Sequence, residues 1–310
     1  MNQVAKTIGL SYAHSRRIYG NGITVAVLDT GIAANHPDFS GSRSPLVAFY
    51  DCLNGRTSPY DDNGHGTHIS GIICGNGRAS GRNYQGIAPG CNLIVIKILN
   101  YRGEGNVKDV LTGIDWILQH QKKYNIRIVN ISVGSSRYKS FDENSPLVQA
   151  VNSLWDAGLV VTTAAGNQGP APYSIGSPGN SRKIITVGSS DDSVKANIHG
   201  KYVRSYSSRG PTNHCIKKPD IVAPGSNITS CNHLINGRPF TKTSYYVTKS
   251  GTSMSTPIVS ASLALLLSKY PDMNNLDVKL HLKNSAIDMG LPHERQGWGL
   301  LTIPSLFTSM

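Results

Sequence analysis

Apolar residues recur along this chain in short unbroken runs separated by stretches of helical period. Ile23 to Leu28 is almost wholly apolar, and Leu93 to Leu99, Ile126 to Ser132, Leu159 to Thr163 and Ile184 to Val187 follow suit. Runs without polar alternation read as strands covered on both faces, the habit of parallel sheets. Asp220 to Val222 reads as one more short strand. Between the runs, Val107, Val110, Leu111, Ile114, Ile117 and Leu118 fall on one helical face. Pro146 to Ala157 reads as a helix stopped by Gly158, and residues 65–73 as a shorter one. Ile258 to Leu267 reads as a buried helix that starts just upstream of Pro257, because proline fits only in or near a first turn. Residues 40–64, rich in Gly, Ser, Pro, Asn and Asp, read as loop. Val278, Leu280 and Leu282 alternate as in a strand, but Asn274-Asn275 ahead of them looks like a cap, and the segment is read as helix. Strands alternating with helices predict an α/β fold, a mostly parallel sheet with helices on both faces. No repeat, low-complexity tract or compositional break divides the chain, so residues 1–310 are expected to form one domain.

Composition narrows the class. With 310 residues, 39% hydrophobic and 15% charged, the chain can bury a large core. No apolar run approaches the roughly 20 residues of a membrane span. The start, Met1 to Lys6, lacks the basic stretch and apolar core of a secretory signal. Cys52, Cys74, Cys91, Cys215 and Cys231 are odd in number and form no Cys-x-x-Cys pair, which favours reduced thiols in the cytoplasm over a disulfide framework. A mature fragment that has lost its targeting segment is the alternative. The charge of +12 is scattered, with no basic run interleaved with aromatics, and reads as a solvated surface rather than a nucleic-acid site.

Candidate chemistry gathers at element ends. Asp29 closes the first strand, where parallel sheets collect catalytic groups, although a turn-forming Asp would read the same way. His65 opens a short helix. Ser253 follows Gly251 at the start of the long apolar helix, where free N–H groups favour negative charge, and where a mere N-cap would also be at home. A serine hydroxyl needs a base near pKa 7, and histidine needs a carboxylate to fix its tautomer. Asn167, in a Gly-rich turn after a strand, could share an oxyanion with the Ser253 N–H.

Asp29-Thr30-Gly31, His65-Gly66-Thr67-His68, Ala165-Gly166-Asn167 and Gly251-Thr252-Ser253-Met254 in this order resemble the subtilisin-like serine proteases, the subtilases of peptidase family S8. Gly86-Ile87-Ala88-Pro89 and Ser207 to Pro211 extend the likeness, which runs from about residue 18 to about residue 303. The Asp62-to-His65 pattern looks most like bacterial intracellular members of the AprX type. The resemblance implies a three-layer subtilisin-like fold and a serine endopeptidase acting on protein or peptide substrates, with no cofactor in the chemistry. It makes Asp29 the orienting acid, His65 the base, Ser253 the nucleophile and Asn167 the oxyanion donor. It places substrate between Ser132-Val133-Gly134 and Gly103-Glu104-Gly105. The pocket for the residue before the scissile bond (P1) would be walled by residues 132–134 and 164–168, Ala164 and Gly166 among them, and floored by Gly176, giving broad specificity for large apolar P1 groups. Asp62 would draw basic residues to the adjacent pocket. Asp38, in His36-Pro37-Asp38, is the implied ligand of a structural calcium, although the facing loop Gly75 to Arg82 carries arginines and no carboxylate. Two other classes are open: a catalytically inactive subtilase-fold regulator, and a basic nucleic-acid-binding module.

Overall fold

The computed structural model describes residues 1–308 apart from 42, 135–144, 199 and 234–244. In chain order the elements begin with α1 (Asn2–Thr7), α2 (Ser11–His14), β1 (Thr24–Asp29), β2 (Leu46–Asp51) and α3 (His65–Cys74). Next come β3 (Asn92–Lys97), α4 (Val107–His120), β4 (Ile126–Ile131), α5 (Pro146–Asp156), β5 (Val160–Ala164) and β6 (Ile185–Ser189). Then follow β7 (Ala196–Ile198), β8 (Lys201–Val203), β9 (Ile221–Ala223), β10 (Ile228–Cys231) and β11 (Tyr246–Lys249). The chain ends with α6 (Thr252–Lys269), α7 (Asn275–Ser285), α8 (His293–Gln296) and α9 (Ile303–Thr308).

Seven strands form one sheet in the order β2-β3-β1-β4-β5-β6-β9, and every pairing in it is parallel. The unbroken apolar runs have the expected cause. On β1, Val25 and Val27 join one core with α3 and α6, while Ala26 and Leu28 join another with α4 and α5. The sheet is therefore the middle of three layers, with helices on both faces.

Helix α6 belongs to the first of these cores. From Met254 to Leu267 every residue is buried, so it has no polar face to show. It docks against β4, β5 and β6. Its polar groups are satisfied inside the protein. Ser260 Oγ donates to Asn130 Oδ1 at 2.8 Å, and Asn130 Nδ2 donates to Ser132 Oγ at 2.8 Å. Thr162 Oγ1 lies 2.6 Å from Ser260 Oγ. The segment with alternating apolar residues is helical, as α7. Asn274 and Asp277 close a capping box at its start.

Two expectations change. Residues 40–64 are not all loop: β2 runs along the outer edge of the sheet beside β3, with mixed burial that hides a strand pattern. Pro257 sits in the second turn of α6, since the helix already begins at Thr252. Thr256 Oγ1 donates to the Thr252 carbonyl at 2.9 Å, which adds a side-chain bond to the first turn where the proline removes a backbone one.

The Asn130 amide joins sheet to helix entirely within the core. Asn130→Ala is expected to leave Ser260 and Ser132 without this partner and to cost about 2–3 kcal/mol in urea unfolding. A change within about 0.5 kcal/mol would show that the network is replaceable.

Candidate active site

The site starts from a buried charge. Asp29 ends the central strand β1 and is fully buried. A carboxylate there requires donors, and it has two. The Thr30 N–H donates to Oδ1 at 2.8 Å, and His65 Nδ1 lies 2.8 Å and 2.9 Å from the two oxygens. Bonding to a carboxylate puts the ring proton on Nδ1, leaving Nε2 as the lone-pair nitrogen.

His65 is placed by the first turn of α3. The helix can approach β1 because its second residue is Gly66: a Cβ there would overlap the Gly31 carbonyl oxygen and lie 3.2 Å from Asp29 Cβ. The helix start is capped by Asp61. Its Oδ1 accepts from the N–H groups of Asn63 (3.0 Å) and Gly64 (2.8 Å) and from Thr30 Oγ1 (2.9 Å). Its Oδ2 accepts from Thr67 N–H (3.0 Å) and Thr67 Oγ1 (2.6 Å). Burial alone would raise the Asp61 carboxyl, but these bonds, led by Thr67, outweigh it and hold the group below the usual range. Sequence reasoning missed Asp61; its place just before Gly64-His65 was the available signal.

The start of α6 is built around Asn167. Gly251 precedes the helix at φ 141°, which favours glycine, and a Cβ there would lie 3.1 Å from Asn167 Nδ2. The Thr252 N–H donates to Asn167 Oδ1 at 2.9 Å, and Thr252 Oγ1 donates to the same oxygen at 3.2 Å. That oxygen is therefore committed, which orients the amide and leaves Nδ2 as its free donor. The Met254 N–H is bound to the Gly251 carbonyl. The Ser253 N–H is thus the one of these three first-turn donors left over.

His65, Asn167 and Ser253 line one cleft of about 670 Å³ at the C-terminal ends of the strands. Ser132, Val133, Gly134, Gly103, Ala164, Gly166 and Gly176 line it too. Three named residues are not among its lining. Glu104 has its backbone tied to Asn100, and Gly105 is pressed against Ile98 and Leu99. Asp62 Oδ1 accepts from Lys97 Nζ at 2.7 Å, a cation that also bonds the carbonyls of Thr30 and Leu99. Its charge is thereby offset, removing the reason to expect it to attract basic side chains. Gln168, within the expected wall, lines the cleft as well, and Arg102, Ser174, Ser177 and Lys249 line it without having been foreseen. Among the described residues no Asp or Glu lines it.

His68, one turn after His65, faces away. Its Nε2 donates to the carbonyls of Ile228 (3.0 Å) and Val247 (3.2 Å), and buried Nδ1 has no partner among the described residues. Burial, with Lys249 and His65 adding repulsion, pushes this imidazole down to about 3.

The Asp38 corner brings together a group of side chains able to ligate a cation. His36, Asp38 and Cys231 have ligand atoms within 4.8 Å of one another. Asp38 Oδ1 accepts from the Ala79 N–H at 2.9 Å, and Oδ2 accepts from Tyr246 OH at 2.9 Å and from the Cys231 thiol at 3.6 Å. His36 Nδ1 accepts the Asp38 N–H at 3.0 Å, so its proton is on Nε2, which donates to the Tyr245 carbonyl at 2.8 Å. Calcium needs several free oxygens. Here protein donors already occupy the carboxylate, and the residues do not fit the ion.

Residues 20–299 match the sequence model of the Subtilase family. The chain is 43% identical over 280 residues to Serine protease AprX of Bacillus subtilis, covering 87% of this chain and 62% of that protein's length. It is 33% identical over 278 residues to Subtilisin Savinase of Lederbergia lenta, covering 90% of this chain and 88% of that one. Among solved structures, Sphericase superposes with a TM-score of 0.74 at 30% identity, covering 92% of each chain.

Two outcomes follow from buried groups. The folded His68 pKa lies below its unfolded value near 6.5, so between about 6.5 and about 3 the unfolded chain binds the extra proton. Its contribution is fully present above that window and is lost as pH falls through it. Thermal midpoints are expected to drop from about pH 7 to about pH 4, and to drop less in His68→Gln; equal slopes would count against this. At the other corner, Asp38→Ala is expected to cost about 2–4 kcal/mol. Calcium should not restore it.

Proposed function

The chain belongs to the subtilase family, and from that premise we propose that it is a serine endopeptidase hydrolysing peptide bonds through an acyl-enzyme. The observation that carries the reading is the buried Asp29–His65 pair, which frees Nε2 on a histidine sharing a cleft with Ser253. In this reading His65 Nε2 takes the Ser253 proton as the hydroxyl attacks the scissile carbonyl. Asp29 stabilises the imidazolium formed. The oxyanion is met by Asn167 Nδ2 and the Ser253 N–H, the donors left free by the local bonding. His65 then passes the proton to the leaving amine, and water repeats the sequence to release the acyl half.

Substrate would lie extended against Ser132-Val133-Gly134 on one side and Gly103 on the other, bound through its backbone. The P1 side chain would enter between Ala164, Gly166 and Gly176. Glycines there, with no carboxylate among the described lining residues, support large apolar P1 groups over Arg or Lys. The five cysteines are all free, with Cys74, Cys91 and Cys231 buried, which supports work in a reducing, intracellular compartment. No described helix is long and apolar enough to cross a membrane.

Casein digestion by wild-type protein beside Ser253→Ala tests the reading. The variant should fold and be at least about a thousandfold slower, with fluorophosphonate labelling lost. Equal residual activity, or no labelling of the folded wild type, would refute it. In the same enzyme a peptide-library profile should show aromatic or large aliphatic P1; dominance of P1 Arg would reject the pocket assignment.

A further inference from the structure

Lysines are seldom buried without partners, because an unpaired ammonium loses its hydration. The buried lysines obey this. Lys97 bonds Asp62 and two carbonyls, and Lys218 bonds Asp220 and the Ile184 carbonyl. Lys249 does not. It is partly buried, lines the cleft with Ser253, and its ammonium makes no hydrogen bond or ion pair among the described residues. Its acidic neighbours are Asp61 and Asp29, both committed elsewhere: Asp29 to His65 and the Thr30 N–H, Asp61 to Thr30, Asn63, Gly64 and Thr67. Burial lowers its pKa, and the fields of Asp61 and Asp29 act in the opposite direction.

Its position has a direction. Lys249 ends β11, which pairs with β10, and this hairpin is fixed to α3 by His68 Nε2 reaching the carbonyls of Ile228 and Val247. Helix α3 begins with His65. The histidine that protonates the leaving amine must face the departing half of the substrate, and the α3 start that carries it meets two neighbours. Asn63 Nδ2 donates to the Tyr101 carbonyl at 3.0 Å, in the Gly103 loop that the endopeptidase reading gives to the acyl half with Ser132 to Gly134, while Gly64 abuts His233 just past β10; the β10–β11 wall is the one left for the departing half. Among the described residues no Asp or Glu lines the cleft, and the other lysine or arginine in its lining, Arg102, is exposed on the Gly103 loop.

Resting on the endopeptidase reading, we propose that Lys249 makes the cleft select substrates with an acidic side chain within the first two residues after the scissile bond. A substrate carboxylate would supply the counter-ion that the fold withholds, and would do so in a partly desolvated place where charge pairing is worth more than at the surface. Basic residues at those positions would meet repulsion.

The test uses internally quenched peptides with one common acyl half and amidated C-termini, so that the varied side chain is the sole carboxylate beyond the bond. Glu, Gln or Lys is placed at the first or second position after the bond. Glu is expected to exceed Gln by about tenfold in kcat/KM and Lys by more, with the ratio shrinking as NaCl is raised. Lys249→Met should bring the Glu-to-Gln ratio close to one, and Lys249→Glu should turn the preference towards Lys. Cleavage with a flat, salt-insensitive ratio in the wild type, or a Glu preference that survives Lys249→Met, overturns the proposal while leaving the endopeptidase reading intact. Failure to cleave any peptide, with no fluorophosphonate labelling, overturns that reading and this proposal together.

Discussion

The structure depends on satisfying one carboxylate buried at the end of its central strand. Asp29 has no exposure, and an isolated charge there would cost far more than the fold's margin of stability. The surrounding pieces exist to meet that cost. Gly66 lets α3 press onto the strand, His65 and the Thr30 amide supply the donors, and Asp61 secures the helix end that carries the histidine. What stabilises the acid is therefore the same set of contacts that fixes the base's tautomer.

A second constraint runs through α6. A helix buried along most of its length has no soluble face, so its hydroxyls must bond inward. Ser260, Thr162 and Asn130 tie it to the sheet, while Ser255 Oγ bonds the carbonyls of Ala223 and Pro224 at 2.9 Å and 3.1 Å. This anchoring gives Ser253 a rigid base on one side of the cleft, as Asp29 and α3 give His65 on the other.

Much of this was legible in the sequence, for physical reasons. Fully buried strands such as β1 and β3 announce themselves as unbroken apolar runs, and α4 by its periodic face. Edge strand β2 escaped because its mixed burial leaves no run, and β10 and β11 because they are short strands outside the main sheet. Within the site, motifs located Asp29, His65, Asn167 and Ser253, but not which of two adjacent acids does what. Asp61 caps the helix and Asp62 pairs with Lys97, a division that only Lys97's arrival from β3 could decide. Lys249 was invisible for a similar reason: its isolation is a property of its surroundings, not of its neighbours in sequence.

The order of the chain has a consequence for biosynthesis. Strands β1 to β6 and helix α3 precede α6 in the chain, so the Asp29–His65 contact can form before Ser253 has been made. Ser253 reaches the cleft only when α6 docks on β4, β5 and β6. A nascent chain of this topology thus cannot bring Asp29, His65 and Ser253 together until that helix has packed.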